Sequence, residues 1–203
     1  TVEGANRHER FEEELPKLYS EDEWDRCTSI SQIACNEFSN MEFFVGNLGK
    51  KFDELRKLLT SIFEKALQDP SKRVVGDAIE ALGDIKSLKS APKLEKYLDD
   101  EKDYGTLAGI PALRAIKALV RMKYEKTFSL LAKKLKSKSQ IIRFEVVELL
   151  SKLDPKKSIP YLEKVLKADK DSNVHKKTIN TLADLQSTKS ISLIEKELEY
   201  DNI

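Results

Sequence analysis

The sequence predicts an all-α fold, an α-solenoid of stacked antiparallel helix pairs. Three observations carry this. The chain of 203 residues holds only seven glycines and six prolines and is dominated by Lys, Glu, Leu and Ile, a helix-forming composition. One stretch, Ser139 to Leu166, reads as two amphipathic helices joined by Asp154-Pro155. The same pattern recurs on both sides of it at near-constant spacing, the mark of stacked helix pairs. Strict apolar/polar alternation is absent over any useful length, so no sheet is expected. The hydrophobic fraction of 40% suffices for a core, and the charged fraction of 35% suits a molecule with much surface per residue.

Residues 1–40 do not fit the repeat and are expected to form an N-terminal helical cap, which a solenoid needs to cover its terminal core. Phe11, Leu15 and Leu18 suggest a short amphipathic helix interrupted at Pro16. Ser20 and Glu23 have the spacing of a capping box. Trp24, Cys27, Ile30, Ala34 and Phe38 then mark one face of the helix it opens. Cys27 and Cys35 would lie ~12 Å apart on one continuous helix, too far for a disulfide. A bridge needs a turn between them, and otherwise they are small core residues.

About five repeats follow, over 41–68, 69–100, 108–137, 139–168 and 171–200. Leu48, Leu82, Leu119, Leu150 and Leu182 recur at spacings of 34, 37, 31 and 32, and Leu48-Gly49 matches Leu82-Gly83. Ala78, Ala115, Val146 and Thr178 share one register position, and Ile79, Ile116, Val147 and Ile179 the next. Ile85, Met122, Leu153 and Leu185 close the first helices. Leu94, Leu131, Leu162 and Ile194 align in the second helices, as do Leu98, Leu135, Leu166 and Leu198. The longest spacing reflects an insertion around 99–107, charged and glycine-bearing, expected as an exposed loop. It reads either as a specificity element or as a tolerated insertion.

In the reference unit Ser139 is positioned to cap the first helix. Ile142, Val146, Leu149, Leu150 and Leu153 form its apolar stripe. Asp154-Pro155 ends it, because the residue before a proline avoids the α region. Ser158 is expected to cap the second helix, with Ile159, Leu162, Val165 and Leu166 buried. The two helices are about 12 and 10 residues long and need neighbours for stability.

The formal net charge of +1 gives no global pull toward nucleic acid. Its distribution is uneven: residues 1–25 hold nine acidic and three basic side chains, and residues 121–177 hold sixteen basic and seven acidic. This is read either as solvated helix faces or as steering of an acidic partner, with head-to-tail contact between copies as one form of it. No stretch is apolar enough to cross a membrane as a helix. The first residue is Thr1, which fits removal of a leader and fits a trimmed chain equally. An exported or periplasmic location is the expectation, with a cytoplasmic one as the alternative.

No catalytic residue, metal site or cofactor is expected. His8 lies in a polar terminal segment, and neither it nor His175 pairs with a nucleophile or carboxylate in a recognisable arrangement. No Gly-rich phosphate loop and no pair of metal-binding histidines occurs. Lys96, Lys133, Lys164 and Lys196 instead share one position on the second helices, and Lys136 and Lys167 join them in the middle units. If those helices line a concave face, the lysines form a ladder with rungs ~10 Å apart. Glu95, Glu163 and Glu195 stand beside the ladder, with Ala132 the exception, so its basic point falls in the third unit. An acidic protein surface is expected to dock around Lys133 and Lys136, set against a solvated face in which Glu and Lys neutralise each other.

The tract Asp69-Pro70 through Val74, Ala78, Ala81, Leu82 and Gly83, with Ile142-Arg143 at a Val-Arg step, resembles HEAT repeats, especially the short bacterial type, over residues 41–200. The resemblance implies a right-handed α-solenoid, elongated and curved, whose partners are other proteins. Only Arg143 stands at the arginine of the Asp–Arg ladder that regular arrays have, with Val75, Ala112 and His175 at the equivalent positions. In overall character the chain also resembles the flagellar-coiling type of spirochaete flagellar sheath protein, which would imply self-assembly or packing among sheath subunits. The expected function is a non-enzymatic protein-interaction scaffold, with a structural part in a larger assembly as one form of it. A HEAT-like bilin lyase or modifying-enzyme subunit is the alternative. A DNA-binding relative ranks below it, because the one tryptophan, Trp24, lies in the cap.

Overall fold

The computed structural model describes residues 13–34, 49–103 and 109–200, and among them every regular element is helical. The chain divides into two compact units, Thr1–Tyr124 and Glu125–Ile203.

In the first unit a helical turn over residues 13–17 precedes α1 (Glu23–Gln32). There follow α2 (Gly49–Ala66), α3 (Lys72–Asp84), α4 (Ala91–Leu94, continued by a 3-10 segment Glu95–Asp99) and α5 (Pro111–Arg121). First helices lie side by side: α3 packs on α1 and on α5, while α2 packs on α3 and the 95–99 segment on α5. The interface is apolar by register. Ile79, Leu82, Ile85, Leu94, Ile116 and Leu119 are wholly buried at positions that repeat along the sequence. Packing of α3 on α5 is close, because a Cβ on Gly83 would stand 2.8 Å from both Cα and Cβ of Ala118. Arg114 bridges the same two helices, with Nη1 2.7 Å from Asp77 and 3.1 Å from Glu80.

The second unit contains α6 (Thr127–Lys134), α7 (Gln140–Leu153), α8 (Pro155–Ala168), α9 (Ser172–Asp184) and α10 (Ile191–Tyr200). Here α7 packs on α6, α8 and α9, and α8 on α9. Leu150 and Leu182 are wholly buried, like Leu82 and Leu119 in the first unit. The all-α architecture of packed neighbouring helix pairs is that of an α-solenoid.

Local sequence explains where helices begin and end. Asp22, Ser71, Ser139 and Asp171 cap α1, α3, α7 and α9, each side chain accepting from N–H groups of the first turn. The first helices α3, α5 and α9 end on a left-handed residue: Lys86 (φ 51°), Lys123 (φ 54°) and Gln186 (φ 51°). In each, that N–H bonds to the carbonyl three residues back and the next N–H to the carbonyl five back, as Lys86 to Gly83 and Ser87 to Leu82. This is the Schellman closure. α7 departs from it because Asp154 is followed by Pro155, which holds Asp154 extended at φ −152°.

Four expectations are corrected. The cap of α1 is Asp22 rather than Ser20, whose hydroxyl instead accepts from Asp22 N at 3.1 Å and donates to Asp25 at 3.0 Å. The cap of α8 is Asp154 rather than Ser158, accepting from Lys157 N at 3.0 Å with Pro155 at the first helical position. Ser158 is buried within the first turn and donates to Pro155 O at 2.7 Å. Both helices of the reference unit therefore have 14 residues. Trp24 is 58% exposed, off the face of Cys27, Ile30 and Ala34, with the Arg73 guanidinium 4.4 Å from its ring centroid. The turn over 13–17 includes Pro16 rather than breaking there. Phe11, Cys35, Phe38 and Leu48 lie outside the described residues, and the inserted loop is described only through Asp103.

Candidate protein-docking groove

Second helices α6 and α8 of the second unit run next to each other, joined by an edge-on contact of Phe128 with Tyr161 at 5.8 Å. The Lys157 ammonium sits 5.2 Å from the Phe128 ring. Beside this contact lies a groove of about 430 Å³. Ala132, Leu135, Tyr161, Val165 and Ala168 give it an apolar lining, and Lys136, Lys164 and Lys170 are exposed around it.

One end of the groove is built by a clasp. Arg143 Nε and Nη2 donate to the two Asp169 carboxylate oxygens at 2.6 and 3.0 Å, while Nη1 donates to the carbonyls of Ser137 and Lys138 at 2.9 and 3.2 Å. Asp169 also accepts from Asp171 N at 3.0 Å. Burial pushes the Asp169 carboxyl up, but the Arg143 and Asp171 donors outweigh it and hold the group below the usual carboxylate range. The clasp ties the turn before α7 to the turn before α9 and fixes the floor on which Lys136 and Lys170 stand.

An identical clasp occurs in the first unit. Arg26 donates to Asp69 at 2.8 and 3.1 Å, and its Nη1 to the carbonyls of Ser20 and Glu21 at 2.8 and 2.9 Å. The expectation that Arg143 stands alone is thus corrected. The signal was present: a serine six residues before the arginine and a capping residue four before it, Ser20–Asp22–Arg26 and Ser137–Ser139–Arg143. It was hidden because Arg26 lies in the segment that shares little of the apolar register. A groove of about 200 Å³ adjoins this clasp too, lined by Leu18, Tyr19, Ile30, Ile62 and Lys65 among others.

Of the lysines singled out in the sequence, the fold brings Lys136 and Lys164 into one groove. Lys133 and Lys167 are exposed on α6 and α8 but do not line it. Lys96 is exposed in the first unit beside a different groove, shared with Lys65 and Lys93. The side chain of Lys196 lies outside the described residues. Lys170 joins the groove and was missed, because it sits in the turn after α8 rather than on the helix. Among the described residues, Lys96, Lys133, Lys136, Lys164 and Lys167 form no ion pair.

The glutamates expected to stand against them have other work. Glu163 accepts from Ser190 Oγ at 2.8 Å, and Glu95 from Tyr124 OH at 2.6 Å. Glu64 does the same for Ser90 at 2.7 Å while also holding Lys93 at 2.5 Å. Each carboxylate thereby links one second helix to the turn that opens the next. Ser90, Thr127, Ser158 and Ser190 are all buried at the spacing of the core leucines, a hydroxyl register that was legible in the sequence.

Residues 110–183, which contain the whole groove, match the family model of HEAT repeats. Over these residues the chain is a HEAT-like repeat protein. Repeats of this kind present helix faces to protein partners and are in general not enzymes. No curated protein matches the HEAT-like chain.

The chemistry available elsewhere is limited. The Cys27 thiol is buried and pushed up to about 12, by desolvation first and by the neighbouring Asp77 second, so it is an inert core group. His175 Nε2 is 2.9 Å from Leu166 O, a packing role. Among the described residues no group of three or more His, Cys, Asp or Glu could hold a metal ion. No helix among them is long and apolar enough to cross a membrane. His8 lies outside the described residues.

Proposed function

We propose that this HEAT-like chain is a non-enzymatic scaffold that holds an acidic segment of a partner protein in the α6–α8 groove. One observation carries the reading: an apolar lining edged by three exposed lysines, Lys136, Lys164 and Lys170. An apolar anchor gains from entering the groove, and carboxylates flanking it meet exposed cations that form no ion pair among the described residues. Lys133 and Lys167, exposed on the same two helices, extend the positive field outside the groove and steer the encounter. The reading extends to a structural part of a larger assembly, of which a flagellar filament sheath is one case. That extension rests on the overall character of the sequence.

A labelled synthetic peptide of glutamates flanking one tryptophan tests it by fluorescence anisotropy. Binding is expected to weaken steeply with salt. Lys136→Glu with Lys164→Glu should weaken it about tenfold or more, two rim charges at up to ~1 kcal/mol each. Lys133→Glu should act chiefly on the association rate. Affinity indifferent to salt and to the double reversal would remove the groove as the site.

A further inference from the structure

The clasp sets a common register for the two units, and along it the chemistry inverts. Seven residues before the arginine stands Tyr19 in the first unit and Lys136 in the second; five before it stand Glu21 and Lys138. The first unit thereby presents an exposed edge of acidic and aromatic side chains. Tyr19 is 71% exposed and Trp24 58%, with Glu21 and Glu23 exposed between them. Tyrosine and tryptophan, with an apolar body and a polar tip, are the side chains enriched where proteins meet. What the edge lacks is what the α6–α8 groove offers, an apolar recess with exposed lysines around it.

We propose that the Tyr19–Trp24 edge of one copy docks in the lysine-edged groove of a second copy, so that the chain self-associates head to tail. This rests on the docking reading of the same groove and names its partner. The contact is heterologous, using two different surfaces, so every docked copy leaves one edge and one groove free and assembly continues unless a ring closes. A groove of about 430 Å³ has room for one aromatic anchor. Two aromatics bury roughly 300–500 Å², well short of the ~1,200 Å² of a stable interface. The association is therefore weak, charge-steered and visible only at high concentration and low salt.

Sedimentation velocity on the full chain tests this over a concentration series at low and high salt. The sedimentation coefficient is expected to rise with concentration at low salt and to stay at the monomer value at high salt. Trp24 is the chain's single tryptophan, so its emission should shift to the blue in step with that rise, with no substitution needed. Glu21→Lys with Glu23→Lys should abolish the rise, and Lys136→Glu with Lys164→Glu should do the same. An equimolar mixture of the two variants should regain at least half of it, because the wild-type edge of one variant meets the wild-type groove of the other and the reversed edge meets the reversed groove. A wild-type chain that stays monomeric throughout overturns the proposal, and if the glutamate–tryptophan peptide still binds, the groove reading survives it. Self-association with unshifted Trp24 emission, or a mixture no better than either variant alone, overturns it equally.

Discussion

Gly83 shows how a single hydrogen decides a packing distance. Helix propensity favours alanine over glycine by ~1 kcal/mol in an exposed helix interior. Here the added Cβ would lie 2.8 Å from the backbone of Ala118, a contact that no rotamer relieves. Overpacking of this kind costs about 1–3 kcal/mol and outweighs the propensity gain. Gly83→Ala is expected to lower the urea midpoint by an amount equivalent to about 1 kcal/mol, with unchanged m-value. A rise in stability would mean that α3 and α5 separate freely. Lys86, Lys123 and Gln186 raise the related question of why left-handed turns carry no glycine. The two Schellman bonds in each turn offset the strain of φ near +50°.

At the scale of elements, the clasp and an acidic bridge divide the electrostatic load of the second unit. Arg143 and Asp169 are 17% and 7% exposed as side chains, so their interaction is poorly screened. Arg143→Ala strands a carboxylate and frees two carbonyls, and is expected to cost about 3 kcal/mol by urea denaturation. Arg143→Lys should recover little of it, since an ammonium cannot span both oxygens and the Ser137 and Lys138 carbonyls. A full recovery would show that charge alone matters there. Glu148 is the more exposed case, bridging Lys152 on its own helix and Lys177 on α9. The hydrogen bonds from Lys152, then Lys177, hold its carboxyl down to about 2. A pKa depressed by folding contributes stability above the unfolded value of ~4.3, and that contribution disappears as pH falls toward 2. Because the pair is open to solvent, its worth is only about 0.5–1 kcal/mol. Thermal melts at pH 5 and pH 3 should show Glu148→Gln less stable than wild type at pH 5 and the gap narrowing at pH 3. A constant gap would mean that the lost term is packing rather than charge.

For the whole molecule, the repeat arithmetic and the charge arithmetic are separate. Within each unit, core leucines at one register bury helices against their neighbours, so stability accumulates helix by helix. The surface is free to vary over that core, and it does: acidic and aromatic residues before Arg26, basic ones before Arg143. One backbone motif thus carries opposite chemistry in the two units. A docking scaffold needs this combination of constant interior and changing exterior.

Much of this was legible in the sequence. Period, composition and Asp154-Pro155 sufficed for the helix pairs, and Leu82, Leu119, Leu150 and Leu182 for their buried line, because apolar periodicity depends only on local geometry. Capping at Ser139 was readable for the same reason. Competition between nearby caps was not. Ser20 against Asp22 and Ser158 against Asp154 are settled by which side chain reaches the first-turn N–H groups, a matter of angles that spacing does not carry. The pairing of Arg26 with Asp69 spans 43 residues, and the groove joins Lys136, Lys164 and Lys170 from three separate stretches. Apolar periodicity alone is enough for the helical repeat, and residue identity for the set of lysines. Which lysines share a groove and which glutamates accept from hydroxyls depends instead on how neighbouring second helices pack.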